Sequence, residues 1–167
     1  MAKAQFFARF SMNSVAAFDH DLVRMKFTDL PFVLKNERRG YTHPWSGGIF
    51  RDCVNSGYEC WLLTYLGKEI GHGIMSIAAG ESHVLNVCVH TECQGHGFGR
   101  IMVEHLIGRA REREVKRMYL EVRPSNLIAY KLYESLGFDE IGIRANYYPA
   151  FVGREDALVL GMDLLPD

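Results

Sequence analysis

Residues 119–138 read YLEVRPSNLIAYKLYESLGF: a strand-length apolar run, a Pro-Ser-Asn break, and a helix-length run closed by glycine. Alternation along the first run puts Leu120 and Val122 on one face and Tyr119, Glu121 and Arg123 on the other. After the break, Ala129, Leu132, Tyr133 and Leu136 fall on one helical stripe. Gly137 then ends the helix, and Phe138 can pack back on it and fix its register. Two side chains stand out in this pattern, a carboxylate inside a short strand and a phenol on an apolar stripe. Each has an ordinary reading: Glu121 as a solvated strand acid or the partner of Arg123, Tyr133 as a core tyrosine. The reading that joins them is a proton-transfer pair.

Upstream, QGHGFGR (94–100) stands between a strand and a helix whose buried stripe is Phe98, Met102, Leu106 and Ala110. Gly95, Gly97 and Gly99 allow a sharp bend or close backbone approach to a ligand. The helix start adds unpaired amides and the positive end of a dipole, with Arg100 as a further cation. This suits a pyrophosphate, although the same glycines also serve a plain tight turn. No Lys-Ser or Lys-Thr pair follows, and the preceding strand is not part of a Rossmann unit.

Further outward, ECWLLTYL, IGHGIMSIAA and HVLNVCVH are separated by short glycine-containing turns, which predicts an antiparallel meander. LVRMKF (22–27) alternates as a half-buried strand. Thr28 to Gly40 reads as a helix, with Thr28 as its cap, and a second short helix begins near Ser46. FDEIGIR and DALVLGMDL read as two strands around a long loop, ANYYPAFVGRE. The order βααβββαβαββ predicts an α/β (α+β) fold with a mixed, mostly antiparallel central sheet and helices on both faces. Residues 21–167 form one domain in this reading, and residues 1–20 an N-terminal lead-in of uncertain structure.

The 167 residues are 48% apolar and 23% charged, with a formal net charge of -1, which argues against a nucleic-acid binder. No apolar run approaches the roughly 20 residues of a membrane span, and Arg9, Ser11 and Asn13 interrupt any signal core. Cys53, Cys60, Cys88 and Cys93 have no CxxC spacing and read as reduced, buried thiols of a cytoplasmic protein. Cys88, His90, Cys93 and His96 crowd together, but their gaps fit none of the common zinc patterns, so no metal is expected.

The Gln94-x-x-Gly97-x-Gly99 pattern at a strand-to-helix junction, followed by LEVRPSNLIAYKLYESLGF, resembles the GCN5-related N-acetyltransferase (GNAT) superfamily. The tail NYYPAFVGREDALVLGMDL, with LEVRPSN and HPWS, is similar to the ribosomal-protein alanine N-acetyltransferase family. That resemblance implies acetyl-CoA as cosubstrate and, as partner, the N-terminal alanine of a small-subunit ribosomal protein. It also implies site residues. Val87, Cys88 and Val89 would hold the pantetheine arm by strand-like bonds. Gln94, Gly95, His96, Gly97, Phe98, Gly99 and Arg100 would cradle the pyrophosphate, and Asn126 would touch the arm or the sulfur region. Glu121 matches the general base and Tyr133 the general acid. Relatives often carry a basic residue where this chain has Gly95, which removes an ionic contact there but not the amide contacts.

The chemistry needs both groups. An N-terminal ammonium, of pKa about 8, must lose a proton before attack on the thioester, and the departing thiolate, of pKa about 8.5, must gain one. Amides near Val89 would stabilise an oxyanion. A carboxylate in a partly dry cleft titrates high, a useful direction for a base working directly or through a water. Direct attack suffices, so no acetyl-enzyme on Cys88 or Cys93 is required. Tyr41, Trp45, Tyr147 and Tyr148 are candidate peptide walls or simple loop staples, and Glu37, Asp52 or Glu155 candidate steering acids. Two other classes remain open: acetylation of another amine (lysine, polyamine or drug), and a non-catalytic acyl-CoA-binding module.

Overall fold

The computed structural model describes residues 19–164; residues 1–18 of the lead-in expected over 1–20 lie outside the described residues. Seven strands form one sheet, ordered β1-β2-β3-β4-β5-β7-β6. The strands are β1 His20–Arg24, β2 Glu59–Tyr65, β3 Lys68–Ala78, β4 Glu81–Val89, β5 Arg117–Val122, β6 Asp139–Pro149 and β7 Arg154–Asp163. Among the described residues four α-helices cover it: α1 Leu30–Gly40, α2 Gly47–Asn55, α3 Phe98–Glu112 and α4 Leu127–Ser135. The element order is the one the sequence predicts, and β2, β3 and β4 form the expected antiparallel meander. Among the described residues no helix is long and apolar enough to cross a membrane.

Neighbouring residues of one strand feed two separate cores. Leu62 and Ile74 belong to a cluster with Val33, Phe50 and Cys53 under α1 and α2. Leu63 and Met75 belong to a larger one with Phe98, Met102, Leu106 and Leu120, against which α4 also packs. Side chains alternate across a strand, so the helices cover opposite faces in pairs, α1 with α2 and α3 with α4. The stripe Phe98, Met102, Leu106 and Ala110 is at most 1% exposed.

Three local expectations change. β1 stops at Arg24, and a short 3-10 turn, Phe27–Asp29, precedes α1. Thr28 lies inside that turn, and the carboxylate that closes it is Asp29, whose Oδ2 accepts from Lys26 N at 2.7 Å. The predicted loop 145–155 is mostly strand. β6 runs to Pro149, and only residues 150–153 turn. Register shifts at Glu140/Gly142 and Arg144/Tyr148, with Asn146 at φ 50, break the two-residue alternation that marks a strand in sequence.

One feature of the sheet creates the site. β4 and β5 are parallel and paired only from Glu81↔Arg117 to Val84↔Leu120. Beyond Val84 the pairing stops, which leaves the outward edge of residues 85–89 without a strand neighbour among the described residues.

Candidate active site

His90 N bonds Ile70 O on β3 at 2.7 Å. Backbone polar groups alternate sides in an antiparallel strand, so those of Cys88 also face β3, while those of Val87 and Val89 face the opening toward β5. Two side chains already use the outward carbonyls. Tyr41 Oη donates to Val87 O at 2.5 Å, and Gln94 Nε2 donates to Val89 O at 3.1 Å. Gly40 makes the first contact possible. A Cβ there would come within 2.5 Å of Cys88 Sγ and force that buried thiol to shift, so glycine lets the end of α1 rest on β4 and deliver Tyr41 to its edge. Cys88 O accepts from Asn36 Nδ2 at 3.2 Å, and its thiol, pushed up to about 12 by burial, faces Asn36 O. Of the three strand residues in the sequence reading, Val87 and Val89 offer backbone to the cleft and Cys88 does not.

The loop from Gln94 to Arg100 has the form of an anion cradle. Gly95 and Gly97 adopt φ 77 and φ 86, the left-handed region that suits glycine, and Gly97 caps α3. A Cβ at Gly95 would meet nothing within 4 Å, so this side of the loop is open. The helix opens with a bond from Ile101 N to Gly97 O at 3.1 Å, so the amides of Gly99 and Arg100 stand ahead of the first intrahelical bond, at the positive end of the helix. Phe98 anchors the turn against Tyr65, ring centroids 5.3 Å apart, and the His96 ring donates to Gln94 O at 2.8 Å. Arg100 ties α3 to α4 through Ser135 Oγ, at 2.6 Å.

Glu121, 14% exposed, forms an ion pair with Arg144 Nε of β6 at 3.1 Å. The sequence offered Arg123 as its partner. That arginine instead pairs with Glu155 of β7 at 3.1 Å and lies over the Tyr148 ring at 4.3 Å. Tyr133 of α4 packs partly buried against the larger core, and burial pushes its hydroxyl up to about 12. Phe138 packs against its ring at 5.8 Å, and Phe138 N bonds Tyr133 O at 3.1 Å, which is the register lock expected at the helix end. Tyr148 links the two. Burial raises its hydroxyl, and so do the charges of Glu121 and Tyr133, both within electrostatic reach. Tyr41 is likewise raised by burial first and then by Tyr133. Glu121 and Tyr133 thus both act electrostatically on Tyr148, and Tyr133 and Tyr148 act on Tyr41, whose hydroxyl meets the open edge of β4 at Val87 O. Asn126 caps α4, with Oδ1 accepting from Ala129 N at 3.3 Å, so its amide Nδ2 is the end left for a ligand.

On the peptide side, Tyr147 and Tyr148 pack edge-on at 4.9 Å on β6, a strand rather than a loop. Trp45 leans on Phe50, and its backbone amide donates to Glu37 Oε1 at 3.1 Å. Glu37 cannot steer a substrate. It is 1% exposed and also receives Asn86 Nδ2 and His72 Nε2, each at 3.1 Å. Asn36 Nδ2 donates to His72 Nδ1 at 3.2 Å, so Nε2 is the ring nitrogen that meets Glu37. Glu155 is committed to Arg123 and Ser125 N, and Asp52 is exposed on α2. The crowded quartet separates. Cys88 faces α1, Cys93 lies in the core under α3, His90 meets Arg39 at 3.0 Å, and His96 turns into its own loop. Ligand atoms of Glu37, His72 and Cys88 do lie within 4.8 Å of one another, but all three are engaged in the bonds just described. Sequence reasoning missed Arg144 and the Glu37–His72 hub, both made by partners distant in the chain.

The acetyltransferase (GNAT) family model matches residues 22–138, more than half of the chain, and the chain belongs to that family. It is an acetyltransferase of a family that uses acetyl-CoA. The likeness to ribosomal-protein alanine N-acetyltransferases holds as well. The "[Ribosomal protein bS18]-alanine N-acetyltransferase" of Escherichia coli (strain K12) is 39% identical over 140 residues, covering 84% of this chain and 95% of that relative. The crystal structure of the ribosomal-protein-S18-alanine N-acetyltransferase from Escherichia coli superimposes with a TM-score of 0.84 at 37% identity, covering 89% of this chain and 96% of that one. The structure of yncA from Salmonella typhimurium, solved with its cofactor acetyl-CoA, shares the fold at a TM-score of 0.74 and 17% identity, covering 89% and 96%.

Proposed function

We propose that this enzyme acetylates the N-terminal alanine of a small-subunit ribosomal protein of the bS18 type, with Glu121 as general base and Tyr133 as general acid. What supports the reading is a chain 39% identical to an enzyme named for that reaction, with a partly dry carboxylate, Glu121, and a part-buried phenol, Tyr133, both within electrostatic reach of Tyr148. Acetyl-CoA would supply an activated acetyl thioester. The amides at the start of α3 and the left-handed glycines suit its pyrophosphate, and the outward groups of Val87 and Val89 suit its arm.

Glu121 takes a proton from the amine at its carboxylate, directly or through one water. Tyr133 holds its proton at Oη at every working pH, because burial keeps it near a pKa of about 12, and donates it to the leaving sulfur. Tyr41, Tyr147 and Tyr148 line the approach to Glu121. The test is a panel of acceptors weighed after incubation with acetyl-CoA. Alanine-starting peptides should gain one acetyl group, and N-blocked lysine peptides and spermidine should not. Acetylation of spermidine or lysine but never of an alanine N-terminus would overturn the substrate. Acetyl-CoA binding with no product from any acceptor would overturn catalysis.

A further inference from the structure

Arg144 reaches Glu121 from two strands away. Glu121 stands opposite Val159 on β7, and Val159 opposite Gly142 on β6; Arg144 stands opposite Ala157. The arginine side chain therefore crosses β7 beside the small Ala157 before meeting the carboxylate at 3.1 Å, and its guanidinium also sits 5.8 Å from the Tyr147 ring. The Tyr148 phenol of β6 is within electrostatic reach of Glu121, and the same phenol feels Tyr147 of β6, Tyr133 of α4 and Arg123, which follows β5 and is held by Glu155 of β7. Arg144 is the one ion-pair partner of Glu121 among the described residues.

A lone carboxylate is a poor host for the reacting amine. It stabilises the ammonium form, raises the amine's pKa and so favours the species that cannot attack. A guanidinium beside it never titrates and cancels that attraction. We infer that Arg144 is a positioning counter-ion, which offsets the charge of Glu121 so that the bound amine gives up its proton near neutral pH instead of being held at the site as ammonium. The pairing engages Glu121 Oε1 and leaves the second oxygen for the amine proton. Arg144 is 53% exposed, so its effect belongs at the modest end for a near charge.

This inference rests on Glu121 being the base, and the experiment separates the two. Steady-state kinetics with an alanine-starting peptide are taken from about pH 6 to about pH 10 for wild type, Arg144→Gln, Arg144→Lys and Glu121→Gln, after melting curves confirm folding; Arg144→Ala replaces the glutamine variant should that not fold. In Arg144→Gln, kcat should fall about tenfold near pH 7, KM should fall rather than rise, and the acid limb of kcat should move up by about one pH unit, so that the variant regains most of the wild-type rate near pH 9.5. Arg144→Lys should keep the wild-type limb. An unmoved limb in Arg144→Gln, or an equal loss at every pH, overturns the counter-ion role while an inactive Glu121→Gln leaves the base in place. A Glu121→Gln enzyme as fast as wild type overturns both.

Discussion

Two strand carboxylates, both largely buried, do opposite work in this molecule. Glu59, at the start of β2, is 3% exposed and receives Arg24 at 2.7 Å, Arg109 at 3.1 Å, Arg113 at 3.1 Å and the Trp61 indole at 2.8 Å. Arg24 and Arg109 also lie over the Trp61 ring, at 5.1 and 5.4 Å. Every acceptor direction of that carboxylate is used, and it ties β1, β2 and α3 together. Glu121, near the end of β5, has among the described residues a single ion-pair partner, Arg144, and the Tyr148 phenol within electrostatic reach. A buried acid saturated with donors holds a fold together. One left with an unused oxygen beside an open strand edge can take a proton.

The largest expected effect is Glu121→Gln, which should lower kcat about a thousandfold near pH 7 while acetyl-CoA affinity is kept and stability changes by about 1 kcal/mol or less. Glu59→Ala should do the reverse. It leaves arginines around an emptied, mostly buried position, so chemical denaturation should show a loss of about 3 kcal/mol, with turnover per folded molecule nearly unchanged. Tyr133→Phe should cost about a hundredfold in kcat with little change in KM, and the wild-type rate should show no loss from this phenol below about pH 11.

The acid side of the stability curve sharpens the contrast. For Glu59, burial pushes the carboxyl up, but the bonds from Arg109 and Trp61 and the charge of Arg24 outweigh it, and the net shift is downward from 4.5. Its folded value lies below its unfolded one, so its contribution is complete above about pH 4.5 and is lost as pH falls through the lower, folded value. Acid titration followed by circular dichroism should show this loss in wild type and its absence in Glu59→Ala. Smallest is Gly97→Ala. A side chain at φ 86 should cost about 1–2 kcal/mol in local strain and weaken acetyl-CoA binding several-fold, read by calorimetry.

The order of elements was legible because alternation and helical stripes are local. The stripe of α3 and the lock from Gly137 to Phe138 appear in the structure as the sequence implied. The strand character of residues 145–149 was hidden by two register shifts and a left-handed Asn146, which scramble a period of two. The end of the pairing between β4 and β5 has no local signature. Partners were the least legible. Glu121 looked toward Arg123 in its own strand but pairs across β7 with Arg144, and Glu37 meets His72 and Asn86 only after the sheet brings β3 and β4 beneath α1. Residue types can nominate a reactive acid; only the fold says which charges it faces.

The central claim is that Glu121 serves to remove a proton from the acceptor amine. It is tested most directly by the ratio of wild-type to Glu121→Gln single-turnover rates with an alanine-starting peptide at saturating acetyl-CoA, followed from about pH 6.5 to about pH 9.5. The ratio should be large near neutrality and shrink steadily as the amine, of pKa about 8, loses its proton to solvent. A ratio near one throughout, or a large ratio that does not change with pH, would contradict it.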